Sequence, residues 1–293
     1  MFPLLMLMLL AHSRWLATAN VTNGCTSIVK NIFILSGQSN MSGRGGVFNQ
    51  TSPAGTVNLT WDGVVPPECQ PNPSILRLSA ELTWVEAQEP LHKDIDVNKT
   101  CGVGPGMSFA NTLKKEDPHI GVIGLVPCAI GGTNITQWAR GGWLYNEMIR
   151  RTKAALQGGG MIRGMLWYQG ESDAVELEDA KLYKGRLKKF FKQVCKDLQL
   201  PTLPIIQVAL ATAPGPYMEV IRRAQLGIKL PNVRCVDAKG LPVGPDLLHL
   251  TTPAQVQLGQ MLADAFLKTQ RSVRVADSKA EFELYVADSI AEF

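Results

Sequence analysis

The stretch NIFILSGQSNMSGRGG, residues 31–46, decides how the chain reads. An apolar run passes straight into small and polar residues, as a strand does where it enters a loop. After residue 30 the pattern repeats: short β-rich apolar runs alternate with amphipathic helical stretches, the signature of βαβ units and a mainly parallel sheet. The spacing predicts strands over 31–36, 120–127, 162–168, 204–210 and 233–237, and helices over 105–116, 145–157, 180–198, 217–229 and 253–269. The fold class is therefore α/β, one doubly wound domain. In such a sheet ligands collect beyond the carboxyl ends of the strands, which is where Ser39 falls. Taken alone the segment is more readily a turn, since Ser and Gly are ordinary turn residues.

The helices rest on periodicity. Tyr183, Leu187, Phe190, Phe191, Val194 and Leu198 form one apolar face, with Lys184, Lys188, Lys192 and Lys196 on a solvated one. Thr252-Pro253-Ala254-Gln255 has the form of a capping box that opens the last helix. Residues 47–103 are rich in Pro, Gly and Asn and read as a long decorated insertion after the first strand, of the kind that shapes a cleft. The tail from about 271 fits either a helix or a strand.

A chain of 293 residues, 45% hydrophobic and 18% charged, suits a well-buried core. A net charge of +4 with dispersed Lys and Arg gives no electrostatic case for nucleic acid. Residues 1–19 hold an apolar run too short to span a membrane, then Ala17-Thr18-Ala19, the small-x-small form of a signal peptidase site. A secreted, extracellular or cell-wall protein follows, free of the membrane after cleavage; an uncleaved anchor is the alternative, because the leading residues lack Lys and Arg. In an oxidising compartment, pairing is expected of some among Cys25, Cys69, Cys101, Cys128, Cys195 and Cys235, with buried thiols as the alternative for several. Sequons at Asn20, Asn49, Asn58 and Asn98 suit glycosylated surface loops, whereas those at Asn40 and Asn134 lie inside the motifs and should be enclosed.

A serine nucleophile needs an imidazole to take its proton. His12 leaves with the signal, His92 lies in the insertion, and His119 precedes a strand at the wrong end. His249 remains, in GPDLLHLTTPAQ, with Asp246 three residues earlier to accept the Nδ1 proton and hold the tautomer. Donors for an acyl oxyanion are expected at two further strand ends: Gly131 and Gly132 in CAIGGTNITQW, and the Gln169 side chain in MLWYQGESDA. The alternatives are a tight strand-to-helix turn and a buried amide stitching loops together. Motifs for α/β-hydrolase elbows, dinucleotides, nucleoside triphosphates and zinc are absent, so no cofactor or metal is implied.

FILSGQSNMSGRGG, GLVPCAIGGTNITQWARG, MLWYQGESDA and DLLHLTTPAQVQLG together resemble the SGNH hydrolases of the sialate O-acetylesterase type, and look most like plant proteins of carbohydrate esterase family 6. The resemblance covers about 30–268 and implies a three-layer α/β/α, flavodoxin-like domain over 30–270, with 271–293 outside it. It implies Ser39 as nucleophile with Asp246 and His249, and an oxyanion hole from the Ser39 amide, one of Gly131 and Gly132, and Gln169. Gln38, Asn40 and Glu171 stand beside these as supporting residues, and Asp173 with Glu171 as support for Gln169 or the cleft. The activity implied is removal of O-acetyl groups from carbohydrate, such as acetylxylan or another cell-wall polymer. Acetyl transfer between sugars and glycan binding without useful turnover are the alternatives, and the oligomeric state is open.

Overall fold

Complete burial of Ile32, Phe33, Ile34 and Leu35 marks the strand they form as the centre of the sheet. The structure, a computed structural model, describes residues 30–291, with side chains as far as residue 271. Its strands are β1 (Lys30–Gly37), β2 (Val47–Thr51), β3 (Val57–Trp61), β4 (Ile75–Leu78), β5 (Trp84–Glu86), β6 (Val122–Pro127), β7 (Met161–Tyr168), β8 (Ile205–Ala209) and β9 (Val233–Asp237). Its α-helices are α1 (Ser39–Ser42), α2 (Pro105–Glu116), α3 (Trp143–Ala155), α4 (Leu177–Asp197), α5 (Met218–Leu226) and α6 (Thr252–Ala291).

Seven strands form one sheet in the order β5-β4-β6-β1-β7-β8-β9, parallel except for edge strand β5. The run β6-β1-β7-β8-β9 has the 2-1-3-4-5 order of flavodoxin-like sheets, in which the connections leaving the neighbours β1 and β7 depart to opposite sides and open a crevice between them. Two aromatic clusters fix the helical layers. Phe33 of β1 packs edge-on against Phe109 of α2 and Phe266 of α6, with ring centroids 5.0 Å apart in each pair. On the other face Trp167 of β7 meets Phe190 of α4 at 4.5 Å and Trp138, in the turn before α3, at 5.2 Å. Because Trp167 is level with Ser36, and Phe33 with Gly164, the period-2 alternation of the strands assigns each ring to its layer.

Several expectations need correction. The insertion contributes strands of its own: β2 and β3 make a separate hairpin, and β4 with β5 extends the main sheet beyond β6. The strand β4, ILRL, carries a buried Arg77 that pairs with Asp94 at 2.6 Å, so its polar residue is satisfied by tertiary contact that no local pattern announces. The start of α6 lies one residue earlier than the capping box implies. Thr251 Oγ1 accepts from the Ala254 amide at 3.4 Å, while the Gln255 side chain donates to Asn40 O at 3.2 Å instead of reaching back. The tail beyond 271 continues α6 to Ala291.

The expected cysteine pairing is not formed among the described residues: Cys69, Cys101, Cys128, Cys195 and Cys235 are free thiols. Cys25 lies outside them. Burial pushes the Cys101 and Cys128 thiols up to about 11 and Cys235 to about 12, so these side chains behave as small hydrophobes. Of the sequons, Asn49, Asn58 and Asn98 are exposed and Asn40 is fully buried. Asn134 is half-buried, its Oδ1 accepting from Thr136 Oγ1 and the Gln137 amide; Asn20, like the whole 1–19 segment, lies outside the described residues. No described helix is long and apolar enough to cross a membrane.

Candidate active site

The crevice between β1 and β7 is set by a close approach of backbones. Gly37 is level with Tyr168 and has φ +138°; a Cβ there would lie 2.0 Å from the Tyr168 carbonyl oxygen. The same carbonyl accepts from the Gln38 amide at 2.9 Å, and the chain then turns into α1 with Ser39 as its first residue. Ser39 is 6% exposed.

The chain returns to this edge after β9. Gly244 N donates to His249 O at 2.7 Å and Leu247 N to Gly244 O at 2.9 Å, closing a tight loop in which Leu247 takes φ +57°. Asp246 Oδ1 accepts the amides of Leu248 and His249 at 3.0 and 2.9 Å. Its Oδ2 lies 2.6 Å from His249 Nδ1, and His249 Nε2 lies 2.9 Å from Ser39 Oγ. The three residues singled out in the sequence thus form one hydrogen-bonded line across 210 positions of chain. Burial lowers the His249 pKa below its usual value against the pull of Asp246, so the imidazole is neutral at pH 7. Burial also pushes the Asp246 carboxyl up, but the two backbone amides and the imidazole outweigh it and leave the carboxyl below its usual range. A neutral imidazole facing a serine hydroxyl, with a carboxylate on its other nitrogen, is a base poised to take a proton.

Asn40 ties the two loops together. Its Oδ1 accepts from Leu250 N at 2.9 Å, and its Nδ2 donates to Leu248 O at 3.3 Å and to Glu171 Oε1 at 2.9 Å. The backbone on both sides of His249 is therefore held by the residue next to Ser39. Glu171 is buried, and burial pushes its carboxyl up to about 7 in spite of the Asn40 bond. With its amide oriented to satisfy both ends, Gln38 donates to Glu171 Oε2 at 3.2 Å and to Thr133 O at 2.9 Å.

The expected oxyanion donors divide. Gln169 has no exposed surface, and its Nε2 donates to Asp173 Oδ2 at 2.6 Å and Thr133 O at 2.9 Å. A side chain so desolvated takes the nearest carboxylate, so Gln169 is a buried knot and not a donor to the cleft. The Gly131 amide is likewise engaged, donating to Asp96 Oδ2 at 3.1 Å. Gly132 is exposed, with φ +75° and open space where a Cβ would be, and its amide meets no acceptor among the described residues. The Ser39 amide is also unengaged, as the first of its helix. Ser39, His249, Gly132 and Glu171 line a cleft of about 280 Å³. Among the described residues no group of three or more His, Cys, Asp or Glu is arranged to hold a metal ion.

Residues 29–268 match the family described as carbohydrate esterase, sialic acid-specific acetylesterase. The chain belongs to this esterase family. It is 58% identical over 237 residues to the probable carbohydrate esterase At4g34215 of Arabidopsis thaliana, covering 80% of this chain and 90% of that one. The crystal structure of that Arabidopsis protein superposes with a TM-score of 0.78 at 56% identity, covering 82% and 98% of the two chains. NanS shares the fold at 18% identity and a TM-score of 0.65, covering 83% and 98%. A carbohydrate acetylesterase from Xanthomonas citri shares it at 20% identity and 0.54, covering 80% and 55%.

The esterase cleft also depends on residues that sequence reasoning passed over. Asp96, 2% exposed, accepts from Ser42 Oγ at 3.0 Å, Arg44 Nη2 at 2.6 Å and the Gly131 amide. It fastens the loops after β1 and β6 to each other, yet it lies in an aperiodic acidic run with nothing local to mark it. Asp173, expected from the sequence as support for Gln169, accepts the Ile135 amide at 3.0 Å as well as Gln169, joining the loops after β6 and β7. His92, in the same insertion, is buried beside Asp96 and Arg44 and held neutral by burial, its pKa lowered to about 3. His119 is exposed before β6, at the amino edge.

Proposed function

We propose that the protein is a serine esterase that removes O-acetyl groups from carbohydrate through an acetyl-enzyme. The observation that carries this reading is the line Asp246–His249–Ser39, with separations of 2.6 and 2.9 Å, at the floor of a cleft in a carbohydrate esterase fold. His249 Nε2 takes the Ser39 proton as Oγ adds to the acetyl carbonyl carbon. The Ser39 and Gly132 amides hold the oxyanion, a contribution of several kcal/mol when donors are pre-organised. Collapse breaks the ester bond, and the departing sugar oxygen takes the proton from His249. Water then gives a proton to His249 and its oxygen to the acyl carbon, and acetate leaves as Ser39 recovers its proton.

The substrate class, a plant cell-wall polymer such as acetylxylan, and a secreted location are part of the same proposal. They are supported by the apolar leader in the sequence and by exposed sequons at Asn49, Asn58 and Asn98. Acetate release from an aryl acetate and from acetylated xylan tests the chemistry. Ser39→Ala is expected to lower kcat by about 10⁴-fold or more. Turnover surviving at the wild-type rate in that variant overturns the mechanism.

A further inference from the structure

The β2–β3 hairpin stands over the cleft with apolar side chains that no other part of the described residues covers fully. Its register pairs Val47 with Trp61, Phe48 with Thr60 and Asn49 with Leu59. Alternation puts Val47, Leu59 and Trp61 on one face of the hairpin and Phe48 on the other; Trp61 packs against the core, whereas Leu59 is 55% and Phe48 46% exposed. Large apolar side chains left open beside a binding cleft mark a surface that something else covers.

What covers it is indicated by a second cavity. A trough of about 620 Å³ runs between this hairpin and the 244–253 loop, lined by Phe48, Leu59, Asp62, Pro245 and Thr251 among others. It shares Val47, Leu59, Asp246 and His249 with the cleft around Ser39, so the two cavities meet at the imidazole. Its volume falls in the range that takes a drug-sized ligand, which is more than one sugar ring. The charges are divided between the two. Lys99 and Glu171 line the cleft alone and Asp62 the trough alone, while Asp246 lines both. Arg44 lines both, but its guanidinium is held by Asp96 at 2.6 Å. Carboxylates accept hydroxyl hydrogens and repel an acidic sugar, and apolar side chains pack against the C–H faces of pyranose rings.

We propose that the trough is a subsite for a neutral oligosaccharide chain, with Phe48 as the platform for a sugar ring, Leu59 as an apolar contact from the opposite face of the hairpin and Asp62 as an acceptor for its hydroxyls. Its biological sense rests on the carbohydrate esterase reading, but binding in the trough does not require turnover, and the test uses that. The full chain is titrated calorimetrically with xylohexaose, cellohexaose, their monosaccharides and a hexamer of galacturonic acid, none of them acetylated. At least one neutral hexamer is expected to bind ten or more times tighter than its monosaccharide and than the acidic hexamer. Phe48→Ala is expected to weaken that hexamer at least fivefold, and Phe48→Tyr, which keeps the ring, to restore it. Hexamers that bind no better than monosaccharides overturn the proposal, as does equal affinity for the acidic hexamer, or an affinity indifferent to Phe48→Ala. Loss of aryl acetate turnover with hexamer binding intact would sink the esterase mechanism and leave the trough standing.

Discussion

The proposed nucleophile and its proposed base are held in opposite ways. Ser39, Asn40, Met41 and Ser42 are all buried, directly beyond the central strand and within hydrogen-bonding reach of its neighbours. The base loop is open: the Asp246 side chain is 52% exposed and Leu247 74%. One half of the site is fixed by the sheet, and the other half is fixed to the first half through Asn40. The position of His249 is therefore an interaction energy of a few hydrogen bonds, each worth roughly 1 kcal/mol, and not a property of the core.

That contrast can be broken from either side. Asp246→Asn should have the largest effect, lowering kcat/KM by about 10²- to 10⁴-fold, because an amide in place of the carboxylate removes the stabilisation of the imidazolium and disturbs its tautomer. Steady-state kinetics on an aryl acetate measures it, and a fall of less than tenfold would mean that the open half of the site contributes little. Asn40→Ala should come next, a drop of roughly 10- to 100-fold in kcat with KM nearly unchanged, since misplacing a catalytic group costs rate more than binding. If KM rises while kcat holds, Asn40 contacts substrate and does not clamp the loop. The pH profile of kcat/KM should show an acid limb with a midpoint below the usual histidine value of 6.5, because burial favours the neutral imidazole. A midpoint above it would mean that the exposed carboxylate dominates over burial.

The smallest effect concerns Glu171 in the enclosed half. Its carboxyl is pushed up from 4.5 to about 7 in the folded chain, so between those values the folded state keeps a proton that the unfolded state releases. Its contribution to stability is thus greatest at low pH and is lost as pH rises through about 7. Glu171→Gln should leave the thermal midpoint near that of wild type at pH 4.5 and exceed it at pH 8. A difference that grows toward acid would reverse the assignment. Other buried acids, such as Glu89, remain in both chains and cancel in the comparison.

The legible part of this molecule was the part written in periodicity. The helix α2 over 105–116 and the strand β9 over 233–237 have the bounds their apolar spacing predicts, and β1 extends the expected 31–36 by one residue at each end, because burial there repeats along the local chain. Ser39, Asp246 and His249 stood out because a polar residue at a strand end, and an Asp three before a His, are patterns in sequence. The strands β4 and β5 were hidden by brevity, at four and three residues. Which of the expected oxyanion donors face the cleft was not legible for a different reason. Whether an amide faces the cleft or a buried carboxylate depends on where Asp96 and Asp173 arrive from: Asp96 lies 35 positions from Gly131, and Asp173, four residues from Gln169, is turned inward by a contact with the Ile135 amide 38 positions away. Gln255 shows the same limit: its spacing fits a cap, but a carbonyl of the nucleophile loop, 215 positions away, is the partner it finds.

The separation of Ser39 and His249 by 210 residues also dictates when the protein can become active during its own synthesis. β1 needs β6 and β7 beside it before it is buried, and the base loop follows β9, the last strand of the sheet. At a synthesis rate of about 5–20 residues per second the nucleophile exists for roughly ten to forty seconds before its base is made. A chain halted just short of residue 249 would possess every described strand and no acid–base partner for Ser39, so under the proposed mechanism catalytic competence serves as a report that translation has passed the end of the sheet.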